Sequence, residues 1–291
     1  MDQVDQQWQQ TPLFFAVRKD PRSAGSECAK FLLDSRCDGN RKDIHGQTPL
    51  FYAAQRDDPA CAEVLLRAGA SPNVQDALEG ETALFLAAKT LGAERTLRAL
   101  LDGKADSQLS DAQGRSALFG VRSVAAAELL AESGCRVGIR DSSGRTCLFP
   151  MAETCSLELF RALRDMRGDV NAVDNNGETC LFHAARVPDA NAAMAMCRLL
   201  VKDSGASGEV KNLSGRTPAQ VASSAALKKW LISMAAAPED ESTLGGQKRT
   251  FHVAFEDALM PGRMILPGMQ GYDSALSNFL KHAEWLRGWD S

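Results

Sequence analysis

The sequence predicts an all-α fold, a solenoid of stacked helix–turn–helix units with extended, hairpin-like loops, followed by a short tail with one amphipathic helix. Three observations carry this. The string Thr-x-Leu-Phe recurs at Thr11–Phe14, Thr48–Phe51, Thr82–Phe85, Ser116–Phe119 (with Ser for Thr), Thr146–Phe149 and Thr179–Phe182, and decays at Thr217-Pro218-Ala219. The copies are offset by 37, 34, 34, 30, 33 and 38 residues, and a period in that range marks a stacked repeat array. Length points the same way, because 291 residues would otherwise suggest about two ordinary domains, whereas a solenoid grows by adding units.

Residues 43–76 serve as the model unit. Asp43-Ile44-His45-Gly46 is turn chemistry, with Gly46 free to take positive φ. Thr48 is expected to cap the first helix through its hydroxyl, and Pro49 occupies the first helical position, where a missing N–H costs nothing. Leu50, Ala53 and Ala54 follow at helical spacing and face inward. Asp57-Asp58-Pro59 ends that helix and starts a second over about 60–68, with Val64, Leu65 and Leu66 as its apolar face. Gly69 suits a left-handed helix terminus, and Ser71-Pro72-Asn73 leads into the next turn. Neither helix is long enough to stand alone, so each unit must bury its face on its neighbours.

These residues resemble the ankyrin repeat: the Asp-x-x-Gly-x-Thr-Pro-Leu lead-in, the Ala-Ala pair, the Leu-Leu pair and the Gly-Ala ending. The lead-in returns at Asp111–Gly114, Asp141–Gly144 and Asp174–Gly177, and the leucine pair at Leu100-Leu101, Leu129-Leu130 and Leu199-Leu200. The resemblance covers about residues 5–233 in seven units. Where the family usually has His after the Leu, every well-formed copy here has Phe. The resemblance implies that hydrogen bonds between repeats are exchanged for apolar packing. Arg36, Lys104 and Arg167 stand where the family has Gly, in a conformation that costs about 1 kcal/mol. The fourth unit is short, and Pro150 falls at the fourth helical position of the fifth, so units four and five should be the least regular.

The array is assigned to residues 1–233, a linker to 234–250 and a tail to 251–291. Met1 to Gln10 replaces a full lead-in, with Trp8 expected over the open end. Lys228-Lys229-Trp230 gives the last helix the polar outer face of a cap. The linker carries Glu239-Asp240-Glu241 and Gly245-Gly246. In the tail, Asp273 could cap a helix with Leu276, Phe279, Leu280, Ala283 and Leu286 on one face.

Chemistry-bearing motifs are missing from the sequence. A net charge of −4 argues against a nucleic-acid surface, and no apolar run is long enough to span a membrane. The eight cysteines form no Cys-x-x-Cys pair and read as buried free thiols in a reducing compartment. Four dispersed histidines make no zinc set. Neither a phosphate loop nor a Gly-x-Ser-x-Gly elbow is present. The chain is therefore expected to be no enzyme, to take no cofactor or metal, and to be a monomeric protein-binding scaffold or adaptor in the cytoplasm or nucleus. The alternative is a substrate-recognition or regulatory subunit of a ubiquitin-ligase or kinase complex, docked through the tail.

The resemblance implies a partner surface made of the turn tips and the exposed side of each first helix. The tip residues are Ile44, His45 and Gln47; Leu78, Glu79 and Glu81; Gln113 and Arg115; Ser142, Ser143 and Arg145; Asn175, Asn176 and Glu178; and Arg216. On the first helices they are Gln55, Arg56, Lys89 and Arg186. The residues just before each capping Thr or Ser form a ladder, Gln47, Glu81, Arg115, Arg145, Glu178 and Arg216. Its basic middle, Arg115 and Arg145, would grip an acidic stretch of partner or stand as ordinary exposed arginines. Asn73 and Asn171 look like sites of ankyrin asparagine hydroxylation.

Overall fold

A computed structural model describes residues 3–18 and 25–235. The tail 251–291 lies outside the described residues, as does the linker apart from residues 234 and 235, which close the last helix. Each unit contributes two short antiparallel helices: Pro12–Arg18 with Gly25–Asp34, Pro49–Gln55 with Pro59–Arg67, and Ala83–Lys89 with Glu94–Asp102. Unit five pairs Leu148–Glu153 with Leu157–Asp165, unit six Cys180–Arg186 with Ala190–Arg198, and unit seven Pro218–Val221 with Ala225–Ala235. Among the described residues there are no strands, only an isolated bridge between Ser110 and Ser116.

The shared core is built by the repeated motif. Leu13, Leu50, Leu84, Leu118, Leu148 and Leu181 are all buried, and so are the Phe residues that follow them. Full burial of such a side chain contributes about 1.5–3 kcal/mol, so the Phe column is a principal source of cohesion between units. In units two and six the residue after the Phe reaches back to the Phe of the preceding unit. Tyr52 meets Phe14 edge-on at 5.5 Å and His183 meets Phe149 at 5.1 Å.

The expected irregularity is present in unit four, where the first helix is a single 3₁₀ turn, Ala117–Phe119, ahead of Val124–Glu132. In unit five the helix starts at Leu148, so Pro150 sits at its third position, not its fourth. The leucine pair of unit six lies in a widened turn, Leu199–Asp203, an irregularity the sequence does not announce. Arg36, Lys104 and Arg167 take φ of +64°, +65° and +70°, as their place in the repeat demands.

Capping departs from expectation. The Thr82 hydroxyl accepts from the Phe85 N–H at 3.3 Å. The hydroxyls of Thr11, Thr48, Ser116, Thr146 and Thr179 are buried without a hydrogen-bond partner. The first-turn amides are met instead by carbonyls, as in Phe51 N–H to the Thr48 carbonyl at 3.0 Å, and the nearby Phe rings offer no polar group to the hydroxyls.

At the N-terminal end, Trp8 does not cover the stack. Residues 5–10 build a complete tip, closed by Asp5 N–H to the Gln10 carbonyl at 3.0 Å, with Gln9 at φ +55°. The Trp8 ring sits 5.8 Å from His45 on the next tip. At the other end Lys228 and Lys229 are exposed while Leu227 and Leu231 are buried, the arrangement of a polar cap.

Candidate partner-binding face

The tips are folded by one carboxylate per unit. Asp43 Oδ1 accepts from the His45 and Gln47 N–H groups at 2.9 and 3.0 Å, while the Asp43 and Gln47 main chains close on each other at 2.9 Å. Asp111, Asp141 and Asp174 repeat this bonding, and Asn212 substitutes its amide oxygen in unit seven. This is the local Asx-type bond that makes Asp and Asn good turn formers. Gly46 is needed twice over: its φ is +74°, and a Cβ there would lie 2.8 Å from the Ala77 nitrogen.

Successive tips are then tied main chain to main chain. The Ile44 N–H donates to the Trp8 carbonyl at 3.1 Å, Ala77 to His45 at 2.8 Å, and Ala112 to Glu79 at 2.8 Å. The series continues with Ser142 to Gln113 at 2.7 Å, Asn175 to Ser143 at 2.8 Å and Leu213 to Asn176 at 2.9 Å. The result is one continuous row from unit one to unit seven, in which the tip backbones are committed to each other and most tip side chains stand at the surface. Ile44, Leu78, Glu79, Gln113, Ser142, Ser143, Asn175, Asn176 and Arg216 are exposed on it, and His45 is half-buried.

The ladder of residues before the capping position does not stand open. Glu81 and Glu178 are buried, each only 5% exposed, and so are not outward-facing side chains. Their partners lie eight residues on, in the last turn of the following helix. Glu81 pairs with Lys89, and Glu178 takes both Arg186 nitrogens at 2.5 Å. The same offset joins Gln10 to Arg18 at 3.2 Å and Arg145 to Glu153 at 3.6 Å. Gln55, eight after Gln47, is exposed, and Gln47 turns instead to Asp76 at 3.1 Å. A charge complementary at i and i+8 around the motif was legible in the sequence, but reading the ladder alone misses it.

The basic middle is likewise compensated. Arg115 bonds Asp111 at 2.6 Å and Glu79 at 3.1 Å, and Arg145 bonds Asp141 at 2.9 Å as well as Glu153. Each arginine is about 30% exposed and matched by carboxylates, so neither is a free cation poised for an acidic partner.

His183 is the most constrained titratable group on this face. Its Nδ1 lies 2.8 Å from Glu153 and its Nε2 3.3 Å from Asp174, with Glu178 at 3.9 Å. Burial alone would lower its pKa, but the hydrogen bonds to Glu153 and Asp174 outweigh it and hold the imidazole above its ordinary value. Reciprocally, the bond to His183 holds Glu153 below the usual carboxylate range, and Arg186 does so for Glu178. Asp174, Glu178 and His183 have the donor types of a metal site. Yet Glu178 is already taken by Arg186 and Asn212, and Asp174 by main-chain N–H groups and His183, so the group reads as an internal ion-pair network.

None of the eight cysteines forms a disulfide. Burial pushes the thiols of Cys61, Cys147 and Cys197 up to about 12, so these are packing groups, not nucleophiles. Asn73 is exposed and accepts from the Asp106 N–H at 2.7 Å, and Asn171 is exposed on its loop. No helix among the described residues is long and apolar enough to cross a membrane.

A family model for ankyrin repeats (3 copies) matches residues 1–76. The mouse (Mus musculus) B-cell lymphoma 3 protein homolog is 32% identical over 226 residues, covering 74% of this chain and 48% of the relative. Human (Homo sapiens) neurogenic locus notch homolog protein 1 is 29% identical over 204 residues, covering 64% of this chain. The chain thus spans only 8% of the length of that relative and about half of the former. Among solved structures, the ankyrin repeat domain of Bcl-3, described as a unique member of the IkappaB protein family, superposes with a TM-score of 0.63 at 28% identity, over 77% of this chain and 98% of that one. The ankyrin repeat domain of human ASB11 gives a TM-score of 0.63 at 21% identity, over 79% of this chain and 100% of that one, a likeness of fold alone.

Proposed function

Because the chain is an ankyrin-repeat protein, we propose that it is an adaptor that binds a partner protein along the row of tips and the adjoining first helices. Ankyrin-repeat domains mediate protein–protein interaction and are known as a non-catalytic fold. The observation that carries the reading is the tip row. Its main-chain bonds fix a rigid edge from Trp8 to Leu213, and its exposed side chains contribute little to the core. A pre-organised edge that orders few side chains on binding limits the entropic cost of association.

The test is capture by the full chain against a chain carrying Ile44→Ser, Leu78→Ser, Ser143→Arg and Asn176→Arg, all at exposed positions. Proteins retained by the first and lost by the second support the reading. An unchanged set of captured proteins, with circular dichroism confirming that both chains are folded, refutes it. The alternative of an enzyme-complex subunit rests on residues 251–291, outside the described residues. It is separated by deleting them, because an adaptor acting through its tips keeps its partner.

A further inference from the structure

We infer that the partner is an acidic protein segment carrying apolar side chains about 10 Å apart, and that it is taken by units one to three. This rests on the adaptor reading above and adds where the partner binds and what its chemistry is. The tips of units one to three differ from those of units four to six, while unit seven again carries an apolar tip residue, Leu213, 81% exposed. Trp8, Ile44 and Leu78, on successive tips, are 40%, 46% and 64% exposed. The corresponding tips of units four to six carry Gln113, Ser142 and Ser143, and Asn175 and Asn176.

The inner helices divide at the same place. The residue after the motif Phe is Phe15, Tyr52 and Leu86 in units one to three, and Gly120, Pro150 and His183 in units four to six. Phe15 is 50% exposed, and Tyr52 and Leu86 are half-buried. Units one to three therefore present two parallel apolar lines, one of tips and one of helix side chains.

Charge identifies the occupant. The Arg18 guanidinium lies 5.7 Å over the Tyr52 ring and, among the described residues, donates to the neutral Gln10 side chain. Arg56 follows Tyr52 by one helical turn, which puts it on the same face; it is exposed and has no carboxylate partner among the described residues. On units three, five and six the equivalent charges are cancelled by Glu81–Lys89, Arg145–Glu153 and Glu178–Arg186, so, among the described residues, the unpaired cations belong to units one and two. Cations without a carboxylate partner among the described residues, set beside apolar lines, favour an acidic, apolar-studded segment. Stacked helices lie about 8–10 Å apart. The apolar side chains of the partner would then recur about every third residue if extended, or about every seventh if helical.

The experiment pans the full 291-residue chain with a displayed library of random 16-residue peptides and measures selected peptides by fluorescence anisotropy. Enriched sequences should be acidic with spaced apolar residues. Their binding should fall at least about tenfold in Ile44→Ser with Leu78→Ser. It should fall about two- to fivefold in Arg18→Gln with Arg56→Gln, with a shallower salt dependence. Ser143→Arg with Asn176→Arg should leave it within about twofold. Basic or apolar-free enriched peptides, or binding lost only in the Ser143, Asn176 variant, overturn this inference and leave the adaptor reading standing. Peptides indifferent to every tip variant overturn both. Light scattering that finds a concentration-dependent dimer abolished by Ile44→Ser with Leu78→Ser assigns the strip to a second copy and also overturns it.

Discussion

Units one to three and units five and six are built on one plan and lined differently. Both bury the Leu-Phe pair, and both are joined by the same tip-to-tip main-chain bonds. They part at positions the core does not use. In the first half the residue after the Phe is aromatic or aliphatic, and among the described residues the nearby arginines 18 and 56 have no carboxylate partner. In the second half His183, Glu153, Glu178 and Arg186 neutralise one another. The difference teaches that a repeat separates two tasks by sequence position. The motif fixes the stack, and the residues just before and after it decide whether a unit's inner face is closed on itself or left open to a partner.

The comparison breaks most visibly if the cores are not equivalent. Phe51→Ala and Phe182→Ala should each cost about 3–5 kcal/mol in urea denaturation, because both rings are buried to about the same extent. A value near zero in one half would mean that its Phe column does not hold the stack. The next largest effect should follow the buried carboxylate before the motif, present in units three and six and absent from unit two. Glu178→Ala strips partners from Arg186 and Asn212 at a buried position and should cost about 2–3 kcal/mol. Gln47→Ala, its counterpart in unit two, loses one neutral hydrogen bond to Asp76 and should cost at most about 1 kcal/mol.

A pH series sharpens the same contrast. The His183 pKa is raised in the folded state, so its contribution is complete below the unfolded value of about 6.5 and is lost as pH rises through the folded value. Glu153 and Glu178 are lowered, so theirs is present above the usual carboxylate value of about 4.3 and is lost as pH falls through the folded values. The stability difference between the wild type and His183→Gln should therefore be largest near pH 5.5, at about 1 kcal/mol, and shrink toward pH 9. Leu86→Gln, at the matching position of unit three, should cost the same at both ends of that range.

The period, the helix starts, the buried Leu-Phe pair and the positive φ of Arg36, Lys104 and Arg167 were all legible, because each follows from a local rule that recurs from unit to unit. The exposed tips were legible too, since a turn residue between two short helices has nowhere to bury. The fate of the charges was not. Glu81 and Glu178 look like surface residues one at a time. Their burial follows from the i+8 partner, which faces them only once the tip and the helix are folded against each other. Of the two alternatives open for Arg115 and Arg145, the structure favours arginines in ordinary pairs, because the Asp that shapes each tip is also the counter-ion of the arginine four residues later. Pairings of this kind depend on the angle between two elements, which a linear pattern does not contain.

The smallest expected effect is a control on the whole comparison. Thr48 and Thr179 belong to opposite halves, and each buries a hydroxyl without a partner. A group of that kind forfeits its hydrogen bonds to water on folding and regains none. Thr→Val keeps the shape and β-branching and removes the uncompensated hydroxyl. Both substitutions should therefore be neutral or stabilising by up to about 1 kcal/mol. Thr82 separates this from a general tolerance of Val, since its hydroxyl caps the helix through the Phe85 N–H, and Thr82→Val should cost about 1 kcal/mol. Equal gains at 48 and 179 would place the difference between the halves in the lining alone. A loss at one of them would mean that its hydroxyl is bonded after all, and that the two halves differ in their cores as well.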